Sequence, residues 1–139
     1  MRTCLHKYIL FLYIFLINSL GFTTSITAGS SHSLFLDENG QAWATGNNNN
    51  GQLGLGDKID RSAPTKINNL PTIISVTAGS EHSLFLDENG KVWATGFNNH
   101  GQLGLGDRTN RTVPEKINNL PTIFIERKID TKSARNIVE

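Results

Sequence analysis

The chain has 139 residues, with 13 Lys and Arg against 12 Asp and Glu and a formal net charge of +1. That length bounds it to one small domain. So even a charge balance offers no general attraction to a phosphate backbone, which sets nucleic acid aside as a partner. The only cysteine is Cys4, so no intramolecular disulfide is available and stability must come from packing or assembly.

Arg2, His6 and Lys7 precede an apolar run over 8–20, and no acidic residue occurs before Asp37. A basic start, an apolar stretch of about 7–15 residues and small residues behind it predict a secretory signal peptide. It spans 1–21, with cleavage as late as 25. A stable span needs about 20 apolar residues, so an anchor formed by residues 8–20 is the alternative, and the membrane is a partner only if that segment is uncleaved. Losing Arg2 and Lys7 with the signal leaves 11 basic against 12 acidic residues, a net of −1. The expected location is secreted or periplasmic.

Beyond the signal the chain repeats itself. Trp43 and Trp93, His32 and His82, and Gly51 and Gly101 are each 50 residues apart. Laid over each other, residues 27–71 and 77–121 agree at 34 of 45 positions. Self-similarity at a fixed period marks repeat architecture, and the period divides the chain into a first repeat over 22–76, a second over 77–125 and a charged tail over 126–139 that reads as a divergent third repeat.

Each repeat reads as a small sheet. In the second, β-branched residues over 72–77 form one strand and His82-Ser83-Leu84-Phe85-Leu86 the next. Asn89-Gly90 then precedes a third strand over 91–95. Asn-Gly between apolar runs is the strongest short hairpin signal, since both residues tolerate positive φ. The glycine-rich stretch over 101–106 suits tight bends. A short last strand over 115–117 follows Pro114, placed where no ladder donor is needed. Four strands per repeat is the blade unit of a β-propeller. Leu34-Phe35-Leu36 and Leu84-Phe85-Leu86 are apolar on consecutive residues, as strands covered on both faces are, which assigns the Phe and Trp positions to the core between blades.

No constellation in the sequence carries chemistry. His32 and His82 have the titration range of a catalytic group, but no Ser-His-Asp or Cys-His set accompanies them. Gly51-Gln52-Leu53-Gly54-Leu55-Gly56 and its copy run opposite to the dinucleotide motif, and no helix pattern follows. Asp57 with Asp60, and Asp107 with Asn110, offer too few oxygens for a hard cation. Asn110-Arg111-Thr112 matches a glycosylation acceptor. Catalytic, cofactor and metal residues are therefore assigned as none. The candidate contacts lie instead in the Asn-rich loops, at Asn48, Asn49, Phe97, Asn98, Asn99 and His100. Here Asn47 of the first copy is replaced by Phe97, and an aromatic among amides on a loop is a plausible anchor for a protein partner.

Thr27-Ala28-Gly29-Ser30-Ser31-His32, Gly40-Gln41-Ala42-Trp43-Ala44-Thr45-Gly46 and Gly51-Gln52-Leu53-Gly54 recur from Thr77, Gly90 and Gly101. They resemble the regulator of chromosome condensation repeats. The resemblance implies an all-β chain, a partial β-propeller of two four-stranded antiparallel blades where the family ring has seven. It assigns Gly29, His32, Trp43, Gly46, Gly51, Gln52, Leu53 and Gly54 to the blade framework. Gly79, His82, Trp93, Gly96, Gly101, Gln102, Leu103 and Gly104 are the same signature in the second copy.

Family members act as platforms for other proteins, so the resemblance implies an exported protein-binding module that is not an enzyme and has a protein partner. Its first alternative is a guanine-nucleotide exchange factor-like protein acting on a Ran-type small GTPase. Exchange in the family uses an acidic residue in the Ala-Gly-x-x-His turn and an inserted β-wedge. Here those turns hold Ser30, Ser31, Ser80 and Glu81, only the last acidic, and no wedge is inserted. Two blades do not close a ring. A truncated remnant of a longer repeat protein, a homo-oligomer completing the ring and a marginally stable piece all remain open at this point.

Overall fold

The computed structural model describes residues 25–123. The signal, the anchor alternative, Cys4 and the charged tail lie outside them. Eight strands form two antiparallel sheets, and no helix occurs among the described residues. The first sheet holds β1 (Ser25–Ala28), β2 (His32–Leu36), β3 (Ala42–Gly46) and β4 (Arg61–Lys66). The second holds β5 (Ile73–Ala78), β6 (His82–Asp87), β7 (Val92–Gly96) and β8 (Arg111–Lys116). Strands are ordered β1-β2-β3-β4 and β5-β6-β7-β8, each a simple meander. These are two successive blades. The division between them falls before Ile73, so a repeat boundary at 76/77 cuts through β5. The strand expected over 72–77 is the better guide.

Both hairpins form where the Asn-Gly pairs predict, pairing Leu36 with Ala42 and Leu86 with Val92. The turn itself differs. Only Gly40 and Gly90 have positive φ, at 73° and 74°; Asn39 and Asn89 do not. Gly40 N donates to the Asp37 carbonyl and Asp37 N to the Gln41 carbonyl. A type I turn followed by a glycine in the left-handed region therefore closes the hairpin. Asp37 stabilises it, with one carboxylate oxygen accepting from both Asn39 N and Gln41 N at 2.9 Å. The other accepts the Trp43 indole N–H at 3.0 Å. Asp87 does the same for Asn89, Lys91 and Trp93.

The last strand is longer than predicted and contains its proline. β8 pairs Gly96 with Arg111 and Ala94 with Glu115, with a register shift between them. Pro114 falls inside that irregular stretch of an edge strand, where the missing N–H leaves no ladder bond broken.

The core lies between the sheets. Leu34, Leu36, Ala42 and Ala44 from β2 and β3 meet Ile73, Val76 and Phe85 from β5 and β6, with Trp93 packed against them. Each sheet covers one face of the other. Phe85 is 1% exposed, as the interblade reading requires, whereas its copy Phe35 is only half-buried. In the turn, Gly90→Ala should cost about 2 kcal/mol, because a Cβ there sits in a left-handed backbone and meets the Ile123 carbonyl. Asn89→Ala should stay within about 0.5 kcal/mol. Denaturant unfolding of the two variants checks this; equal costs would mean that the asparagine carries the turn.

Candidate functional site

In each sheet the β1–β2 and β3–β4 connections lie at one end, as do β5–β6 and β7–β8. The Gly-x-x-His turns and the Asn-rich loops therefore share an end. Two bonds tie them together: Asn47 N donates to the Ser31 carbonyl at 2.8 Å and Phe97 N to the Glu81 carbonyl at 2.9 Å. Between the sheets the Ser30 and Ser80 hydroxyls are 3.1 Å apart.

The Gly-x-x-His spacing has a steric cause. The His32 ring lies over Gly29, and a Cβ at residue 29 would come 2.6 Å from it and closer still to the Gly79 carbonyl. His82 lies over Gly79 in the same way. His32 then reaches across the blade boundary, with Nε2 3.0 Å from the Ser83 hydroxyl. Ser83 gives its one proton to the Gln52 carbonyl at 2.7 Å, so the His32 bond must be donated by Nε2–H. Nδ1 is left as a buried lone pair without a partner. Burial, and after it the neighbouring His82, hold His32 below the ordinary imidazole value. Burial lowers His82 too.

Two of the six loop candidates are not surface contacts. Asn48 and Asn98 are fully buried. The Asn48 amide donates to the Asp57 carbonyl and carboxylate and accepts from Leu53 N, each at 3.0 Å. Asn98 repeats this with Asp107 and Leu103, and adds the Thr109 carbonyl. A buried amide reads like an exposed one in a run of asparagines; its partner spacing of five and nine residues, present in both copies, is the signal that was missed. Leu53 and Leu103, buried completely, pin the loops from below.

Asn49, Asn99 and His100 are exposed and Phe97 is half-buried. The aromatic replacement changes the local bonding. In the first copy Gln52 donates to Asn47 Oδ1 at 2.7 Å and accepts from Asn50 N at 2.9 Å. In the second, position 97 offers no acceptor, and Gln102 keeps the bond from His100 N. Phe97 instead meets the His100 ring edge-on, with centroids 5.9 Å apart.

The carboxylates weighed as cation ligands are engaged by protein donors. Asp57 pairs with Arg61 at 2.6 Å and Asp107 with Arg111 at 2.7 Å, and those guanidinium bonds hold both carboxyls below their ordinary value. Asp60 accepts from Asn48 N. Asn110 accepts from Asn98 N and donates to Asn50 across the blade boundary, so a glycan on its amide would displace that bond. Among the described residues no three His, Cys, Asp or Glu side chains gather as a metal would need.

The chain matches the family model described as the regulator of chromosome condensation (RCC1) repeat over residues 39–86 and 89–129. A second model of that repeat matches 24–52 and 73–102. Among solved structures it is similar to yeast RCC1 (Prp20) bound to Kap60, with a TM-score of 0.63 and 34% identity over 68% of this chain and 24% of that one. Prp20p from Saccharomyces cerevisiae, described with its binding to Gsp1p and histones, gives 0.62 and 33% over 68% and 25%. Human WBSCR16 gives 0.60 and 29% over 67% and 25%. The chain spans about a quarter of the length of these structures. A search of curated proteins finds no match.

Because the folded His32 binds a proton less readily than the unfolded one, the native state holds fewer protons than the unfolded chain as pH falls through the ordinary imidazole value of 6.5. Stability should be full above that value and decline below it. The thermal midpoint at pH 5.5 should lie under that at pH 7.5. Ser83→Ala should cost about 2–3 kcal/mol at neutral pH by orphaning the His32 donor and the Gln52 carbonyl. A midpoint that holds or rises on acidification contradicts this assignment.

Proposed function

The chain belongs to the regulator of chromosome condensation (RCC1) repeat family, and from that premise we propose that it is an exported, non-catalytic protein-binding module that meets its partner with the loop end of its blades. One observation carries this reading. Asn49, Phe97, Asn99 and His100 are presented by loops whose neighbours Asn48 and Asn98 are locked by buried hydrogen bonds. Accessible amides and an aromatic pair on a pre-ordered loop suit recognition, because little conformational entropy remains to be lost on binding. The titratable groups buried near them serve the framework. The Kap60, Gsp1p and histones named with the yeast relative are all proteins, which supports a protein as the ligand class here.

Affinity capture with the full chain tests the assignment of the loop end. Phe97→Ala combined with His100→Ala should lose the proteins retained by the wild type while the thermal midpoint moves by no more than about 2 °C, the scale of a surface change. Retention of the same proteins by both chains would place the contact elsewhere. Export rests on the basic and apolar pattern over 1–21. In a secretion-competent host the mature chain should begin between residues 22 and 26; a product that keeps Met1 and stays in the cytoplasm would contradict export.

Nucleotide exchange on a Ran-type GTPase is the second reading, favoured by the exposed Glu81 in the second Gly-x-x-His turn and by the Gsp1p binding of Prp20p. It requires the chain to accelerate nucleotide release from such a GTPase and Glu81→Ala to abolish the effect.

A further inference from the structure

The interface between the two sheets is asymmetric. The first sheet brings its leucine face, where Leu34, Leu36, Ala42 and Ile67 are all buried. The second brings its phenylalanine face, where Ile73, Val76 and Phe85 are buried. Polar groups interlock along the seam. The His32–Ser83–Gln52 chain is one element, the Thr95 hydroxyl donating to the Gly51 carbonyl at 2.9 Å is another, and Gly56 N donating to the Thr112 carbonyl at 2.8 Å is a third. Pro114 packs on Gly54, so closely that a Cβ at residue 54 would lie 3.0 Å from the proline ring.

The repeat supplies each half of this interface a second time, on the two outer faces. On the second sheet, Leu84, Leu86, Val92 and Ile117 occupy the places of the four buried leucine-face residues, and all are only half-buried. On the first sheet, Ile26 and Phe35 occupy the places of Val76 and Phe85. Ile26 is 77% exposed. Pro64 is exposed where Pro114 is buried, and Gly104 is exposed where Gly54 is buried.

The geometry points to a second copy of this chain docking head to tail, the leucine face of one copy's second sheet on the phenylalanine face of the other's first sheet. The interface already formed inside the chain is the template. The seam residues Leu34, Leu36, Phe85, Gly54 and Pro114 have identical counterparts, and Ala42 and Val76 have the conservative counterparts Val92 and Ile26. Such a contact joins two different patches, so it repeats from copy to copy until the rotation closes. Blades close into rings of about four to eight, which corresponds to two to four copies.

Light scattering on the full chain with Ile26→Arg and Leu84→Arg tests this. The wild type should be a discrete oligomer. Each variant alone should be a monomer that keeps its strand circular dichroism, because each arginine spoils only one outer face. Mixed in equal amounts the two variants should form a heterodimer and nothing larger, since Ile26→Arg keeps its leucine face and Leu84→Arg its phenylalanine face. Should either variant lose its strand signal, Pro64→Asp and Leu86→Asp replace the pair. A monomeric wild type, or variants that stay monomeric when mixed, would overturn the proposal.

Discussion

The leucine face of one blade stacked on the phenylalanine face of the next is the contact on which the rest of this structure depends. Neither sheet has an interior of its own, because a four-stranded meander is a single layer and must bury a face against another layer. Leu34, Leu36, Ala42 and Ala44 find that layer in Ile73, Val76 and Phe85. The seam also carries polar groups, and each has a defined direction. His32 donates to Ser83, Ser83 to the Gln52 carbonyl, and Thr95 to the Gly51 carbonyl. A leucine-rich stack alone would tolerate sliding; a buried chain of hydrogen bonds with one donor per acceptor fixes the register.

The repeat signature follows from that seam. Gly29 is glycine because the His32 ring occupies the space of its Cβ. His32 is histidine because a ring of that reach spans to the neighbouring blade. Asp37 and Asp87 each join a hairpin turn to the tryptophan of the following strand. The hydrogen bonds from Gln41 and Trp43 lower the Asp37 carboxyl below its ordinary value, and burial at Asp87 is outweighed by the bonds from Trp93, Lys91 and Asn89. At the opposite end of the sheets, the loops folded around the buried Asn48 and Asn98 form a firm base for Asn49, Phe97, Asn99 and His100.

Much of this fold was legible in the sequence, because its signals are local. The 50-residue offset, the Asn-Gly hairpins and the consecutive apolar residues of β2 and β6 gave the blades and their pairing. What stayed hidden depends on direction or distance. Asn48 and Asn98 look like their exposed neighbours until the loop folds back and brings Leu53, Asp57 and their copies to them. Asn39 and Asn89 look like positive-φ residues, although the glycine alone takes that conformation. The Phe35 and Phe85 segments are identical in sequence but differ in burial, since no local pattern says which side the neighbouring blade occupies.

The two sheets form one cooperative unit held by their shared seam. Native-state hydrogen exchange of the full chain tests it most directly, because it reports the free energy of opening strand by strand. Amides of β2 and β3 and those of β5 and β6 should exchange through one common opening. A sheet that opens at a clearly lower free energy than its neighbour would show instead that each blade stands alone and that the seam does not couple them.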